Sequence, residues 1–145
     1  MKTQHLHDVW ASLDNSRLTT KQFSFRFPVH IAAKIAALCE LYPQKNRTHI
    51  VADLLAAALD DLEKNLPAAL IEQTEEENRN QQIAAKHFGY EYEQVFEVYG
   101  QRGRFRELAN KYYVEQENEL GNEEPLPLYE KLCMTEKQFK ESQSK

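Results

Sequence analysis

Cysteine and long apolar runs are scarce in this chain, and their scarcity excludes whole classes of protein. Only two cysteines, Cys39 and Cys133, occur among 145 residues, too few for a disulfide framework, so we expect both thiols to be reduced. No apolar run approaches the length that crosses a membrane, and the first ten residues, MKTQHLHDVW, lack the apolar core of a signal peptide. The sequence therefore predicts a soluble cytoplasmic protein with no membrane partner.

Patterns that carry catalysis or bind cofactors are missing as well. The sequence offers no nucleophile–base pair and no glycine-rich phosphate loop, and the two neighbouring histidines His5 and His7 have no third ligand at metal-binding spacing. We therefore expect no enzymatic activity, no metal and no cofactor.

Positive charge is also lacking, which at first sight argues against a nucleic-acid partner. The chain carries 18 Lys/Arg against 23 Asp/Glu, a net charge of −5 and a pI near 5.6. The charge is unevenly distributed, because residues 1–66 hold eight Lys/Arg and seven Asp/Glu, net +1, while residues 67–145 hold the remaining ten and sixteen, net −6. Attraction to phosphate is thus expected to be local to the first half of the chain.

The clearest pattern in the sequence is the stretch KQFSFRFP. Alternate residues of an extended chain point to opposite sides, so Phe23, Phe25 and Phe27 form one row and Gln22, Ser24 and Arg26 form the other. This period of two predicts a half-buried β-strand. The next fifty residues are expected to be helical and to contain no second strand. A second copy of the same strand is then the simplest ladder partner, which predicts an obligate homodimer.

Two amphipathic helices are predicted after this strand. Pro28 suits the start of the first helix, whose apolar face includes Ile31, Ile35, Leu38 and Tyr42, and Pro43 ends it. Asn46 is a good N-cap for the second helix, which ends near Leu66. The apolar face of the second helix is broad enough to pack on its own protomer and on a partner, and comprises Ile50, Val51, Leu54, Leu55, Ala58, Leu59 and Leu62.

The order strand, short helix, turn, longer helix over residues 20–66 resembles the ribbon-helix-helix family of bacterial DNA-binding proteins, the Arc/MetJ/CopG group. The resemblance implies that Gln22, Ser24 and Arg26 enter the major groove from a two-stranded antiparallel ribbon. It also implies phosphate contacts at the start of the second helix, from Lys45, Asn46, Arg47 and Thr48. The implied dimer core consists of Phe23, Phe25, Phe27, Ile35, Leu38, Ile50 and Leu54. One departure is the turn Pro43-Gln44-Lys45, where the family usually has a glycine.

The rest of the chain is predicted to be mostly helical. Before the strand, Leu6, Val9, Trp10 and Leu13 fit a short helix that ends at residues 14–16. After Pro67, helical segments are expected over residues 68–88 and 104–120, with a turn at residues 100–103 and a final helix capped by Thr135 and Gln138. The predicted fold is therefore mainly α, a ribbon-helix-helix dimer with an α-helical C-terminal extension. The predicted domains are an N-terminal arm or short helix (1–19), a DNA-binding and dimerisation domain (20–66) and an acidic C-terminal region (67–145).

These features favour a sequence-specific transcriptional regulator, most simply a repressor, that binds double-stranded DNA as a homodimer. Two alternatives remain open: an antitoxin that autoregulates its operon, and a dimeric protein-interaction module without DNA binding. The C-terminal region could then contact a protein partner or support higher-order assembly. Its three arginines, Arg102, Arg104 and Arg106, either pair with nearby glutamates or form a second phosphate-binding patch.

Overall fold

The computed structural model describes residues 3–10 and 18–144. The chain divides into two compact units, the first made of Met1–Asn65 and Gln116–Glu124 and the second of Leu66–Glu115 and Pro125–Lys145. The elements in chain order are a 3-10 turn at Thr3–His5, α1 (Leu6–Trp10), α2 (Val29–Leu41), α3 (Arg47–Asn65), β1 (Ala68–Ile71), α4 (Glu75–Phe88), β2 (Val95–Tyr99), α5 (Gly100–Glu119), β3 (Cys133–Thr135) and α6 (Glu136–Gln143). No helix in these described ranges combines the length and hydropathy needed to cross a membrane.

The core of the first unit joins the N-terminal helix to the helix pair. Leu6, Trp10, Ile50 and Ala57 are buried together, and Leu38, Cys39, Tyr42 and Leu54 pack around them. The indole Nε1 of Trp10 donates a hydrogen bond to Oδ2 of Asp53 at 2.7 Å, which satisfies its polar group. The predicted N-terminal arm therefore contributes two of the four buried residues of this cluster.

Helices α2 and α3 confirm the predicted helix pair and the residues predicted at the helix starts. The carbonyl of Pro28 accepts hydrogen bonds from the amides of Ile31 and Ala32, both at 3.0 Å, at the start of α2. The side chain of Asn46 accepts from the amide of His49 at 2.8 Å, which is the N-cap bond predicted for α3. Between the helices, the amide of Lys45 donates to the carbonyl of Tyr42 at 3.1 Å. This closes a four-residue turn with Pro43 at its second position, where proline is favoured, so the turn needs no glycine.

The second unit is built on a three-stranded antiparallel sheet in the order β1-β2-β3. Leu70 pairs with Val98 of the central strand, and Phe96 pairs with Met134. Val98 is the most buried strand residue, at 3% exposed. Gly100 follows β2 with φ +77, and a Cβ there would lie 3.0 Å from the backbone nitrogen of Ala69. Both the positive φ and the close approach favour glycine at this position.

Two capping boxes fix the starts of the helices that flank this sheet. Thr135 and Gln138 cap α6 reciprocally, as the sequence predicted. Thr74 and Glu77 cap α4 in the same way, and Gly89, in the left-handed conformation at φ 75, ends it. The sequence analysis did not predict the cap at Thr74, although the TEEE pattern carries that signal.

The predicted fold class is wrong. The half of the chain expected to be an α-helical extension contains a three-stranded antiparallel sheet, and no ribbon strand is present at residues 22–27 of the single chain. The expectation that no strand follows within fifty residues also fails, because β1 begins at Ala68. The sequence of β1, AALI, consists mostly of good helix formers, and its pairing with β2, 28 residues away in the case of Leu70 and Val98, overrides that local preference.

Two further expectations differ from the structure or lie beyond it. Residues 100–103 form the first turn of α5 and not a separate loop. Leu13 and the predicted turn at residues 14–16 lie outside the described residues. The boundaries of the three predicted domains stay a prediction.

Candidate nucleic-acid interface

The candidate interface is centred on residues 22–27, here called the extended segment. All of its residues are exposed, and no strand is assigned to them in the described chain. The rings of Phe23 and Phe25 have their centroids 6.4 Å apart and their planes within 2°, and Phe25 and Phe27 repeat the 6.4 Å spacing with a 35° tilt. Alternate residues of an extended chain are separated by about this distance. The three rings therefore form one row, called the phenylalanine row.

The phenylalanine row is unusually exposed for large apolar side chains. Phe23 is 63% exposed, Phe25 68% and Phe27 44%. Burying a phenylalanine side chain contributes about 1.5–3 kcal/mol, so three adjacent exposed rings form an apolar patch of the kind typical of interaction surfaces. Because side chains alternate along an extended chain, Gln22, Ser24 and Arg26 belong to the opposite side. These three residues are called the polar row.

A second exposed apolar surface lies on α3. Leu55, Leu59 and Leu62 are 47–50% exposed and share one face at helical spacing, so they are called the leucine stripe. The broad face predicted for this helix is thus divided. Ile50 and Ala57 are buried inside the protomer, whereas Ala58, predicted to be on the apolar face, is exposed. The leucine stripe was not among the predicted dimer-core residues, although its spacing was visible in the sequence.

Some of the residues predicted for the dimer core are exposed, and others are buried or half-buried inside the protomer. The phenylalanine row is exposed, whereas Ile50 is fully buried against the protomer's own core. Leu38 and Leu54 are half-buried around that core, and Ile35 is half-buried on α2. Of these residues, only the phenylalanine row is largely open to a partner in the described chain.

The residues predicted to contact phosphate surround the start of α3. Arg47 and Thr48 are exposed, and their backbone amides belong to the first turn, at the positive end of the helix dipole. Asn46 is exposed and uses its side-chain oxygen for the N-cap bond. Lys45 is only 9% exposed. The structure therefore presents Arg47 and Thr48 to solvent and covers Lys45.

An acidic residue from a distant part of the sequence contacts the two residues that precede the extended segment. The Nζ of Lys21 lies 3.6 Å from Oε1 of Glu119, and the hydroxyl of Thr20 donates to Oε2 of the same carboxylate at 3.3 Å. Glu119 is the last residue of α5 and belongs to the first unit. The sequence analysis did not find this contact, because 98 residues separate Lys21 from Glu119.

The second unit contains an open cavity of about 400 Å³ beside β2 and α5. The guanidinium of Arg106 stacks over the ring of Tyr129 at 4.5 Å and donates to the carbonyl of Glu130 at 2.7 Å. The side-chain amide of Asn110 donates to the carbonyl of Tyr129 at 2.9 Å and accepts from its amide at 2.7 Å. Because these groups stack on or hydrogen-bond to other residues of the cavity wall, internal contacts maintain the shape of the cavity.

Two arginines of the second unit, Arg104 and Arg106, have different kinds of partner. Arg104 pairs with Glu107 at 3.3 Å, which is the glutamate pairing expected for one member of the triplet, whereas Arg106 pairs with an aromatic ring and a carbonyl. The hydroxyl of Tyr99 also donates to Glu107. This hydrogen bond, followed by that from Arg104, lowers the pKa of Glu107. The bond to Glu107, followed by burial, raises the pKa of Tyr99, and Arg104 opposes that rise.

A second network connects α4 to the sheet. Lys131 donates to Glu77 and lies 3.7 Å from Glu97. The Lys131 hydrogen bond, followed by that from the amide of Thr74, lowers the pKa of Glu77, and the pKa of Lys131 is raised in return. Burial raises the pKa of the nearby Cys133 thiol, which disfavours its reactive thiolate form at neutral pH.

Comparison of the chain with protein-family models, with curated proteins and with solved structures gave no match. The resemblance to ribbon-helix-helix proteins therefore stays a prediction that rests on residues 20–66 of the sequence.

Proposed function

We propose that this chain is a DNA-binding transcriptional regulator that acts as a homodimer. In this proposal, two copies of the extended segment pair with each other and present both polar rows to the major groove. The observation that carries the proposal is the phenylalanine row, three exposed rings on one side of a segment whose other side holds Gln22, Ser24 and Arg26. A cytoplasmic location is part of the same proposal, since that is where such a regulator meets its DNA.

The case for a dimer rests on the apolar surface that a single chain leaves uncovered. Helix α2 has no buried residue along its 13 positions, and Val29 at its start is 87% exposed. Together with the phenylalanine row and the leucine stripe, these exposed residues leave much of the apolar surface of the first unit uncovered. A second copy supplies complementary surface without any further partner, because a two-fold interface uses the same patch twice.

The case for DNA rests on the chemistry of the polar row. Arg26 can donate two hydrogen bonds to O6 and N7 of guanine, and Gln22 can pair with N6 and N7 of adenine. Each such bidentate pair discriminates between bases by about 1–3 kcal/mol. Ser24 can donate or accept and is therefore permissive. Two copies of this row provide an operator preference with the symmetry of the dimer.

Phosphate contacts are assigned to the start of α3. The exposed side chain of Arg47 and the first-turn amides of Arg47 and Thr48 together favour an anion. These contacts position the protein on the duplex and carry no base information. Because Lys45 is covered in the described structure, we assign the phosphate contact mainly to Arg47.

One observation favours a dimeric protein-interaction module without DNA binding as the second candidate. Lys21 is paired with Glu119, and the first unit gains four glutamates from residues 116–124. These four carboxylates make the net charge of the first unit negative. An antitoxin is less well supported, because the region after the helix pair contains a paired sheet and two reciprocally capped helices.

The test is selection of DNA from a random-sequence duplex library by the full chain, followed by fluorescence anisotropy over a range of salt concentrations. The proposal predicts enrichment of a symmetric or tandem site and an affinity that falls as salt rises. The matched control is Arg79→Ala, which removes an exposed arginine from α4 of the second unit and should leave binding unchanged. Absence of both enrichment and salt-dependent binding would favour the interaction module.

A further inference from the structure

The end of α5 and the loop after it form an acidic segment (Gln116–Glu124) that belongs to the first unit. Its sequence, QENELGNEE, contains four glutamates and no lysine or arginine. Residues 1–65 hold eight Lys/Arg and seven Asp/Glu, so this segment changes the net charge of the first unit from +1 to −3. The unit that carries the polar row is therefore acidic when its full composition is counted.

The backbone of the acidic segment is fixed by a helix-ending motif. Gly121 adopts the left-handed conformation at φ 92, its amide donates to the carbonyl of Asn118, and the amide of Asn122 donates to the carbonyl of Glu117, both at 3.0 Å. This pair of bonds is the Schellman arrangement that ends many helices. The side-chain amide of Asn122 also donates to the carboxylate of Glu117 at 3.2 Å. The backbone on both sides of Glu119 is thus held by local hydrogen bonds.

The placement of these carboxylates opposes the usual rule for helix ends. The last turn of α5 contains no basic residue, and Glu117 and Glu119 lie at the negative end of the helix dipole. Carboxylates are disfavoured there, and lysine or arginine is preferred. For Glu119 the described partners are Lys21 and Thr20, immediately before the extended segment proposed to contact DNA. A locally unfavourable residue whose partners lie at a candidate site indicates a role at that site.

We propose that Glu119 is an autoinhibitory residue. Its carboxylate pairs with Lys21 in place of a DNA phosphate and adds negative charge beside the extended segment. The inference rests on the proposed function. A phosphate that approaches Lys21 must displace the Glu119 carboxylate, and the net charge of −3 on the first unit opposes the approach of the duplex. Non-specific binding to DNA is thereby weakened. The base contacts of the polar row then contribute a larger share of the binding free energy at a preferred site.

The test is fluorescence anisotropy of the full chain with a random-sequence duplex at several salt concentrations. Removing the carboxylate by Glu119→Gln should tighten non-specific binding about two- to five-fold, the range of an exposed ion pair. Because Lys21 then contacts a phosphate, the slope of log affinity against log salt should steepen by about 0.9, the contribution of one phosphate. The matched control is Glu115→Gln, the same charge change at an exposed position one turn earlier in α5.

Lys21→Ala in both backgrounds provides the second measurement. In the natural chain this substitution should change affinity little, because Glu119 already engages the lysine. In the Glu119→Gln background it should cancel the gain. If the natural chain binds DNA and Glu119→Gln matches it in affinity and slope, or Glu115→Gln tightens binding equally, the autoinhibitory role is overturned. If no variant binds DNA even at low salt, the proposed function itself fails and the inference fails with it.

Discussion

At the scale of single residues, Arg26 and Arg47 are assigned different tasks although both are exposed arginines of the first unit. Arg26 belongs to the polar row, where a guanidinium fork can read one base. Arg47 stands at the first position of α3, where it can only neutralise a phosphate. The two roles have different signatures in binding measurements, so each can be tested separately.

Replacing Arg26 with alanine should relax the preference at one base position in each half-site, with a loss of about 1–3 kcal/mol on the preferred site. Replacing Arg47 with alanine should instead weaken binding to all sequences about equally and reduce the salt slope by about one. Anisotropy titrations with the selected site and with single-base variants measure both effects. Unchanged binding of Arg26→Ala to the preferred site would show that the polar row does not read the bases.

The Glu77 carboxylate makes the second unit sensitive to acid. Its pKa is lowered by the hydrogen bond from Lys131 and then by that from Thr74, so the folded state favours the charged form. This contribution to stability is complete above the ordinary pKa of 4.5 and is lost as pH falls through the lower folded value.

We therefore expect the melting temperature to fall as pH drops below about 4.5, and to fall less steeply in Glu77→Gln. Thermal unfolding followed by circular dichroism between neutral and acid pH measures the difference. Glu75→Gln removes an exposed carboxylate from the same first turn of α4 and is the control. Equal acid sensitivity of Glu77→Gln and the natural chain would contradict the assigned role of the Lys131 contact.

At the scale of elements, sequence patterns were reliable where local chemistry decides the structure. Pro28, Asn46 and the pair Thr135–Gln138 marked helix starts that the structure contains, because caps and prolines act within one turn. The strands were missed because their partners are far apart in sequence and β1 is composed of helix formers. The phenylalanine row was visible as a period of two, whereas the contact of Lys21 with Glu119 has no local signal at all.

The extended segment is the element on which dimerisation depends in this account. Phe25, the central ring of the phenylalanine row, should be buried between two copies, so Phe25→Ala removes its contact twice per dimer. With about 1.5–3 kcal/mol per ring, the dissociation constant of the dimer should rise at least about a hundredfold. Sedimentation equilibrium measures it directly.

Phe88→Ala is the matched control for that experiment, because Phe88 is 73% exposed but belongs to α4 of the second unit. It should leave the dimer unchanged. If the natural chain sediments as a folded monomer at micromolar concentration, the proposed dimer through the extended segment is wrong.

At the scale of the whole molecule, helix α5 is shared between the two units. Most of the helix belongs to the second unit, while its end at Gln116–Glu119 belongs to the first. The sequence-based split at residue 66 assigned all of this acidity to the C-terminal region and left the first half weakly basic. Charge counting along the chain could not place the acidic segment in the first unit, because that placement depends on the path of the folded chain.

Amide hydrogen exchange of residues 22–27 in the full chain, with and without the selected duplex, shows whether paired extended segments contact DNA. Pairing between copies should slow exchange in this segment as protein concentration rises, and the duplex should slow it further. A peptide from α6, whose exposed residues play no part in the proposed interface, reports any general effect on stability. Rapid exchange of residues 22–27 at every protein concentration, unchanged by DNA, would contradict the account.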